Sequence, residues 1–275
     1  MKRRKLFCEI SPLTYAISLQ KGILARHVKN LLSGVKFASK RTSELLPVVV
    51  YAQGGDMIKR GPGIDPQLQQ NKADNIRLAC SRIDGLMVYP CETFSFWRLV
   101  GKTSRRTGFK YGRVIVNGKL VAGTGGGLCN LANTLHLLVL HSPLTVTELH
   151  HHSDALAPEA GERKPYSAGT SVSYNFIDYR FRNDTDQPVQ ICARCDGDIL
   201  HCELRAEREF PYTYRLVEED HHFSREADER YFRRSRIYRE ICSRATGETL
   251  ERELVWDNHS EVMYDYSLIP KDQIR

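Results

Sequence analysis

The chain has 275 residues, 41% of them apolar and 27% charged, and its 40 Lys and Arg against 33 Asp and Glu give a formal charge of +7. Such values exclude a disordered, collagen-like or membrane-embedded composition and leave room for one main core with additions. Part of the cationic excess sits in residues 1–5 and 21–41, which suits a solvated basic face or an anionic partner such as a membrane surface or a phosphorylated substrate.

The basic residues 2–5 are followed by Glu9, Ser11 and Pro12, which interrupt the apolar stretch an export signal needs. No run approaches the ~18 apolar residues of a membrane-spanning helix, so the expected location is cytoplasmic, with peripheral membrane contact open to the N-terminal region. The eight cysteines lack the dense, regular spacing of a secreted disulfide scaffold and are expected as free thiols.

Residues 13–37 carry apolar side chains at helical spacing with Lys21, Arg26, Lys29 and Lys36 between them, a basic amphipathic helix. Its expected role is packing on the main domain; the alternative is a helix lying on an anionic membrane. Residues 45–52 form a valine-rich run that suits a buried strand. Pro66 is placed for the first turn of a helix that Gly85 stops after residue 84. Residues 91–97 are expected extended, and two strands, 113–116 and 119–122, flank Asn117-Gly118, a type I′ hairpin signal.

Gly123, Gly125, Gly126 and Gly127 then lead into an apolar helix, 129–141, stopped by Pro143. Strands are expected at 144–152, 171–182, 188–195 and 199–204, and a charged hairpin at 231–242 and 249–256. The fold class is therefore α+β: a mainly antiparallel sheet packed with a few helices, and a cysteine at the start of a core helix. Three regions are expected, a basic helical region 1–44, a core 45–204 and a charged hairpin extension 205–275.

The chemistry concentrates at Cys129. A helix N-terminus favours thiolate, and glycines leave backbone N–H groups open to a substrate or oxyanion. A cysteine nucleophile needs a base and a group to orient it. In an extended 144–152 segment, His150 and His152 share one face with Glu148, while His151 takes the other. A helix of about 13 residues and the strand after it cover comparable lengths, so a histidine can return to Cys129.

Two other readings stand beside catalysis: a cysteine that only fills a tight turn, and a zinc site from Cys129, His150 and His152. A second zinc reading uses Cys192, Cys195, His201 and Cys202. His221 and His222 lie among acids and read as a solvated charge cluster. No P-loop follows the glycines, and the Arg-rich tail lacks a nucleic-acid-binding pattern, so neither nucleotide nor nucleic acid is an expected partner.

Four segments, Pro90-Cys91-Glu92-Thr93-Phe94-Ser95-Phe96-Trp97, Gly125-Gly126-Gly127-Leu128-Cys129-Asn130, His150-His151-His152-Ser153 and Asp178-Tyr179-Arg180-Phe181-Arg182-Asn183, resemble in order the motifs of the VanW family. The resemblance spans about residues 45–204. It implies association with bacterial glycopeptide (vancomycin-type) resistance and the cell wall, without implying an established reaction. Matched to the family pattern, the site residues are Glu92, Phe94, Gly126, Gly127, Cys129, His150, His152, Asp178 and Asn183.

The resemblance frames two functions. One is a papain- or transglutaminase-like enzyme acting on peptidoglycan peptides or precursors, with Cys129 as nucleophile, His152 or His150 as base and Asp178 as orienter. Gly125, Gly126, Gly127, Asn130, Glu92 and Phe94 would then contact substrate, with no cofactor. The other is a non-catalytic module binding a wall precursor or partner protein. The family usually has Gly at Cys91, Gln at Asn130 and an acid where Gly169 aligns; the last two departures weaken an oxyanion or orienting role at those positions.

Overall fold

Asp65 accepts hydrogen bonds from the N–H groups of Gln67 and Leu68, and Pro66 follows it as the first helical residue. This cap and proline start the central helix where the sequence predicts it. The computed structural model describes residues 6–60, 64–116, 119–152, 154–155, 158, 165–166, 169–226 and 228–275. Its elements run in order α1 (Pro12–Leu32), β1 (Val48–Asp56), α2 (Pro66–Ile83), β2 (Leu86–Val88), β3 (Thr93–Ser95), α3 (Phe96–Val100), β4 (Tyr111–Val116), β5 (Lys119–Thr124) and α4 (Leu128–Leu140). There follow β6 (Thr145–Glu148), β7 (Asp154–Ala155), β8 (Arg180–Arg182), β9 (Val189–Asp196), β10 (Ile199–Ala206), β11 (Tyr212–Arg225), β12 (Tyr231–Ser243) and β13 (Thr249–Val262).

The fold is α+β. An antiparallel sheet ordered β1-β10-β9-β2 receives α2 and α4, and the core between them includes Ile76, Ile83, Leu131, Leu138, Ile191 and Leu204. A small sheet, β3-β8-β6, brings together two of the motif segments that lie far apart in sequence and the strand that leads into the histidine segment. The β4-β5 ribbon delivers the chain to the glycines before α4; the Asn117-Gly118 turn lies outside the described residues.

Several elements differ from expectation. Residues 91–97 are strand only over Thr93–Ser95 before α3 begins at Phe96. The expected buried strand at 45–52 is β1, none of whose residues is fully buried, and the helix expected over 13–37 ends at Leu32. Residues 144–152 are strand only over Thr145–Glu148, with one further bridge between His151 and Thr170. Residues 171–182 are strand only over Arg180–Arg182, because Ser173 and Ile177 close a tight turn in which Asn175 takes a φ of +44°. The supposed charge cluster around His221 and His222 is instead part of β11, a 14-residue strand.

Strand β11 was hidden by its charge, yet that charge sets its pairing. Arg215 opposes Glu240, and Arg239 and Glu240 oppose Glu253 and Arg252, with ion pairs at Arg215–Glu240 and Arg239–Glu253. Opposite charges across neighbouring strands stabilise this register. The ribbon is not free of the core: Ile237, Val255 and Trp256 pack on Leu137 and Leu140 of α4.

The segment before β3 turns sharply. Glu92 N–H donates to the Tyr89 carbonyl at 2.9 Å, with Pro90 and Cys91 between them and Cys91 at a φ of +64°. Proline second and a left-handed residue third are the signature of a type II turn, where glycine belongs. The cysteine therefore sits in a backbone conformation that a Cβ disfavours. Cys91→Gly is expected to raise stability by about 0.5–1 kcal/mol, the relief of strain less the added freedom of the unfolded chain. Urea melts of wild type, Cys91→Gly and Cys91→Ala check it; an alanine variant as stable as the glycine variant would contradict the backbone cause.

Candidate functional site

Gly125 and Gly127, just before α4, each have a neighbour in the place of a side chain. A Cβ built on Gly125 would lie 2.8 Å from Thr103 Cγ2, and one on Gly127 would lie 2.4 Å from Lys72 Cγ. A Cβ on Gly112 would lie 3.0 Å from Gly126 Cα, and Asn75 Nδ2 donates to the Gly126 carbonyl at 3.0 Å. The loop is thus packed against α2 and β4. Gly125 and Gly127 also require φ values of +86° and +101°, which glycine alone adopts without strain.

Cys129 enters the first turn of α4 and is half-buried. Its Sγ lies 3.7 Å from the Val172 carbonyl, and burial pushes the thiol above its ordinary pKa. Asn130 continues the same turn: its N–H donates to Gly127 O and its carbonyl accepts from Thr134 Oγ1, both at 3.0 Å. No described hydrogen bond joins Cys129 to a histidine.

The three histidines separate into three environments. His150 is 43% exposed and its Nε2 stands 3.2 Å from Glu148 Oε1. His151 Nδ1 is 3.0 Å from the Tyr166 hydroxyl, and its ring stacks on Trp256 at 4.7 Å. His152 N–H donates to the Gly169 carbonyl at 2.7 Å. Burial lowers the pKa of His151 and His152, reinforced at His151 by its histidine neighbours and opposed at His152 by Asp154.

Asp178, the expected orienter, is fully buried. Its carboxylate accepts from Ser95 Oγ (2.6 Å), Trp97 N–H (3.1 Å), Tyr179 N–H (3.0 Å) and Arg180 Nε (2.7 Å). The carboxylate beside a histidine is Glu148, which also receives both guanidinium arms of Arg26 at 2.5 and 2.6 Å. Burial works to raise the Glu148 pKa, but Arg26, the Asp178 N–H and His150 outweigh it, and the net shift is downward.

Glu92, Phe94 and Asn183 serve the same small sheet. Glu92 accepts from Tyr89 N–H at 3.1 Å and pairs with Lys36 at 3.2 Å. Phe94 stacks on Phe181 at 4.6 Å. Asn183 Nδ2 donates to the Val88 and Gln187 carbonyls at 2.8 and 2.9 Å.

The sequence reading passed over a second polar network behind Cys129. Asn133 Nδ2 donates to the Tyr166 carbonyl at 3.1 Å, and Asn133 Oδ1 accepts from Thr170 N–H and Oγ1 at 3.2 and 3.1 Å. His136 Nδ1 is 3.1 Å from the buried Tyr179 hydroxyl. Cys129, Asn133 and His136 stand at i, i+4 and i+7, one face of α4; three polar residues at that spacing in an apolar helix were the available signal.

Among the described residues no group of three or more His, Cys, Asp or Glu side chains is arranged to hold a metal. Around the second zinc reading, Cys195 instead faces Cys80 of α2, Sγ to Sγ 3.8 Å. An open cleft elsewhere is lined by Lys40, Arg41, Leu46, Met87 and Tyr89 rather than by Cys129 or the histidines.

Comparison with known proteins gives this geometry a family. Residues 71–205 match the family described as VanW like protein. The chain is 29% identical over 231 residues to the Vancomycin B-type resistance protein VanW of Enterococcus faecalis, covering 84% of each chain. It is 34% identical over 146 residues to the uncharacterized protein YoaR of Bacillus subtilis, covering 50% of this chain and 46% of that one. The chain carries a VanW-like domain. No solved structure matches it.

Departures from the VanW pattern now have local causes. Cys91 occupies a left-handed position suited to the family's glycine. At Gly169 a Cβ would lie 3.0 Å from Trp256, so the β13 indole holds the space into which an acidic side chain would extend. Nothing in the structure explains Asn130.

Burial, together with the charges of His151 and Arg239, holds the His136 pKa down at about 3. An imidazole neutral in the fold but titrating near 6.5 when unfolded leaves full stability above pH 6.5 and subtracts from it as pH falls toward 3. Wild type is therefore expected to lose up to about 1.4 kcal/mol more per pH unit than His136→Gln between pH 6 and 4. Urea midpoints across that range measure the difference; parallel pH profiles would show that His136 titrates normally.

Proposed function

We propose that this protein, with its VanW-like domain, acts in glycopeptide resistance as a binding module for a cell-wall precursor, and that Cys129 is a packing residue. One observation carries the reading: the half-buried Cys129 thiol, in the first turn of α4, lies against the Val172 carbonyl, with its pKa raised rather than lowered. A cysteine nucleophile needs the opposite, a thiolate favoured by a nearby base or cation. The printed name of the Enterococcus faecalis relative supports the link to resistance.

The groups available to a ligand lie instead at the end of β6. The His150 side chain is partly exposed there, held by Glu148, and offers a polar contact whose orientation is set before a ligand arrives. Peptide stems of wall precursors carry amides and carboxylates that such a pair can address.

In a host whose glycopeptide tolerance depends on this protein, Cys129→Ser is expected to keep the inhibitory concentration within about twofold, and His150→Ala to lower it about fourfold or more with melting unchanged. In the purified chain, iodoacetamide should label exposed Cys91 at least about tenfold faster than Cys129 at neutral pH. Lost tolerance in Cys129→Ser together with rapid labelling of Cys129 would establish the thiol-enzyme alternative.

A further inference from the structure

Helix α1 is oriented the wrong way round for a core helix. At 3.6 residues per turn, Leu13, Ile17, Leu24, Val28 and Leu31 fall within an arc of about 60° and form a stripe about 27 Å long. That stripe faces outward: the five residues are 69, 50, 65, 47 and 84% exposed, and α1 has no buried residue.

The opposite face, where Gly22, Arg26 and Asn30 lie with half-buried Leu19 and Ile23, holds the helix to the body. A Cβ on Gly22 would lie 2.9 Å from the Phe176 ring. Arg26 clamps Glu148, and Asn30 Oδ1 accepts from Arg180 at 2.8 Å. Packing therefore falls to the face of Leu19, Gly22, Ile23, Arg26 and Asn30, leaving a continuous apolar stripe on the surface.

Charge identifies what covers it. Residues 10–43 contain six Lys or Arg (21, 26, 29, 36, 40 and 41) and no Asp or Glu. A second copy docking stripe to stripe would bring Lys21 and Lys29 against the same cations with no carboxylate on the helix to offset them. An anionic lipid surface accepts both halves, the apolar stripe entering the acyl boundary and the lysines lying at the headgroups. No described helix is long and apolar enough to cross a membrane, so the contact is peripheral.

We propose that α1 is a membrane-docking helix that lays the protein on an anionic bilayer through Leu13, Ile17, Leu24, Val28 and Leu31. Because its inner face holds Glu148 and Arg180, the docked helix brings the His150 end of β6 to the lipid side of the molecule. The docking itself is independent of any ligand at His150.

Flotation of the full chain with vesicles tests this. Wild type is expected to float with vesicles of equal parts phosphatidylcholine and phosphatidylglycerol, and about tenfold less with phosphatidylcholine alone or in high salt. Leu24→Glu/Leu31→Glu should lose about tenfold or more of the binding, as should Lys21→Glu/Lys29→Glu on anionic vesicles. Melting should be unchanged in both, since all four side chains face solvent. Wild type that does not float overturns the proposal. So does a dimer in analytical ultracentrifugation that Leu24→Glu/Leu31→Glu dissociates while vesicle binding persists; that result assigns the stripe to a second copy.

Discussion

The buried carboxylate of Asp178 holds together parts of the chain that sequence keeps far apart. Its four hydrogen-bond donors come from Ser95, Trp97, Tyr179 and Arg180, so β3, α3 and β8 meet on one charge. Its own N–H donates to Glu148 at 3.2 Å, which adds β6, and Glu148 in turn takes Arg26 of α1. A carboxylate out of water is tolerable only with this degree of pairing, and removing one partner of such a buried pair typically costs roughly 3–5 kcal/mol. The same arithmetic explains why Asp178 has no capacity left to orient a histidine. Its chemistry is spent on assembling the sheet that carries the histidines.

The pattern of the chain made much of the fold legible. Pro66 and Gly85 bracket α2, and the glycine-to-leucine transition marks α4, because backbone propensity and apolar period agree there. The expectation for residues 13–37 found the helix, which ends at Leu32, but left its role open between packing and a membrane surface, since amphipathicity gives two faces and does not say which one meets the protein. The outcome depended on Arg26 finding Glu148, a pairing across 122 residues. Strand β11 was missed for a related reason: its charges look solvated in one dimension and become cross-strand partners only once β12 lies beside them.

At the site, position was easier to read than role. A Gly-rich loop before a helix suits a ligand approaching bare backbone, and it equally suits a second helix approaching it; α2 occupies that space through Lys72 and Asn75. Lys72 itself, with its pKa lowered to about 8 by burial and by repulsion from Lys59, carries no sequence signature, because its relation to Gly127 exists only in three dimensions. Motif residues such as Glu92 and Asn183 proved to organise a turn and a strand junction. A motif records that a residue is needed and is silent on whether packing or chemistry needs it.

The histidine run shows how one short segment can serve both purposes. Alternation of an extended chain turns His151 one way, onto Trp256 of the C-terminal ribbon, and His150 the other, onto Glu148 and through it α1. The outer additions to the core therefore grip adjacent residues from opposite sides. Stacking on Trp256 fixes the His151 ring although the residue stays exposed, whereas a carboxylate already shared with arginine positions the His150 ring, whose side chain is 43% exposed. A Trp256 indole against Gly169 also takes the space into which a side chain at that position would extend. With Asp178 saturated and Cys129 turned to a carbonyl, His150 keeps a partly exposed ring beside Glu148, and its neighbour across Glu148 is the helix that presents an apolar stripe outward.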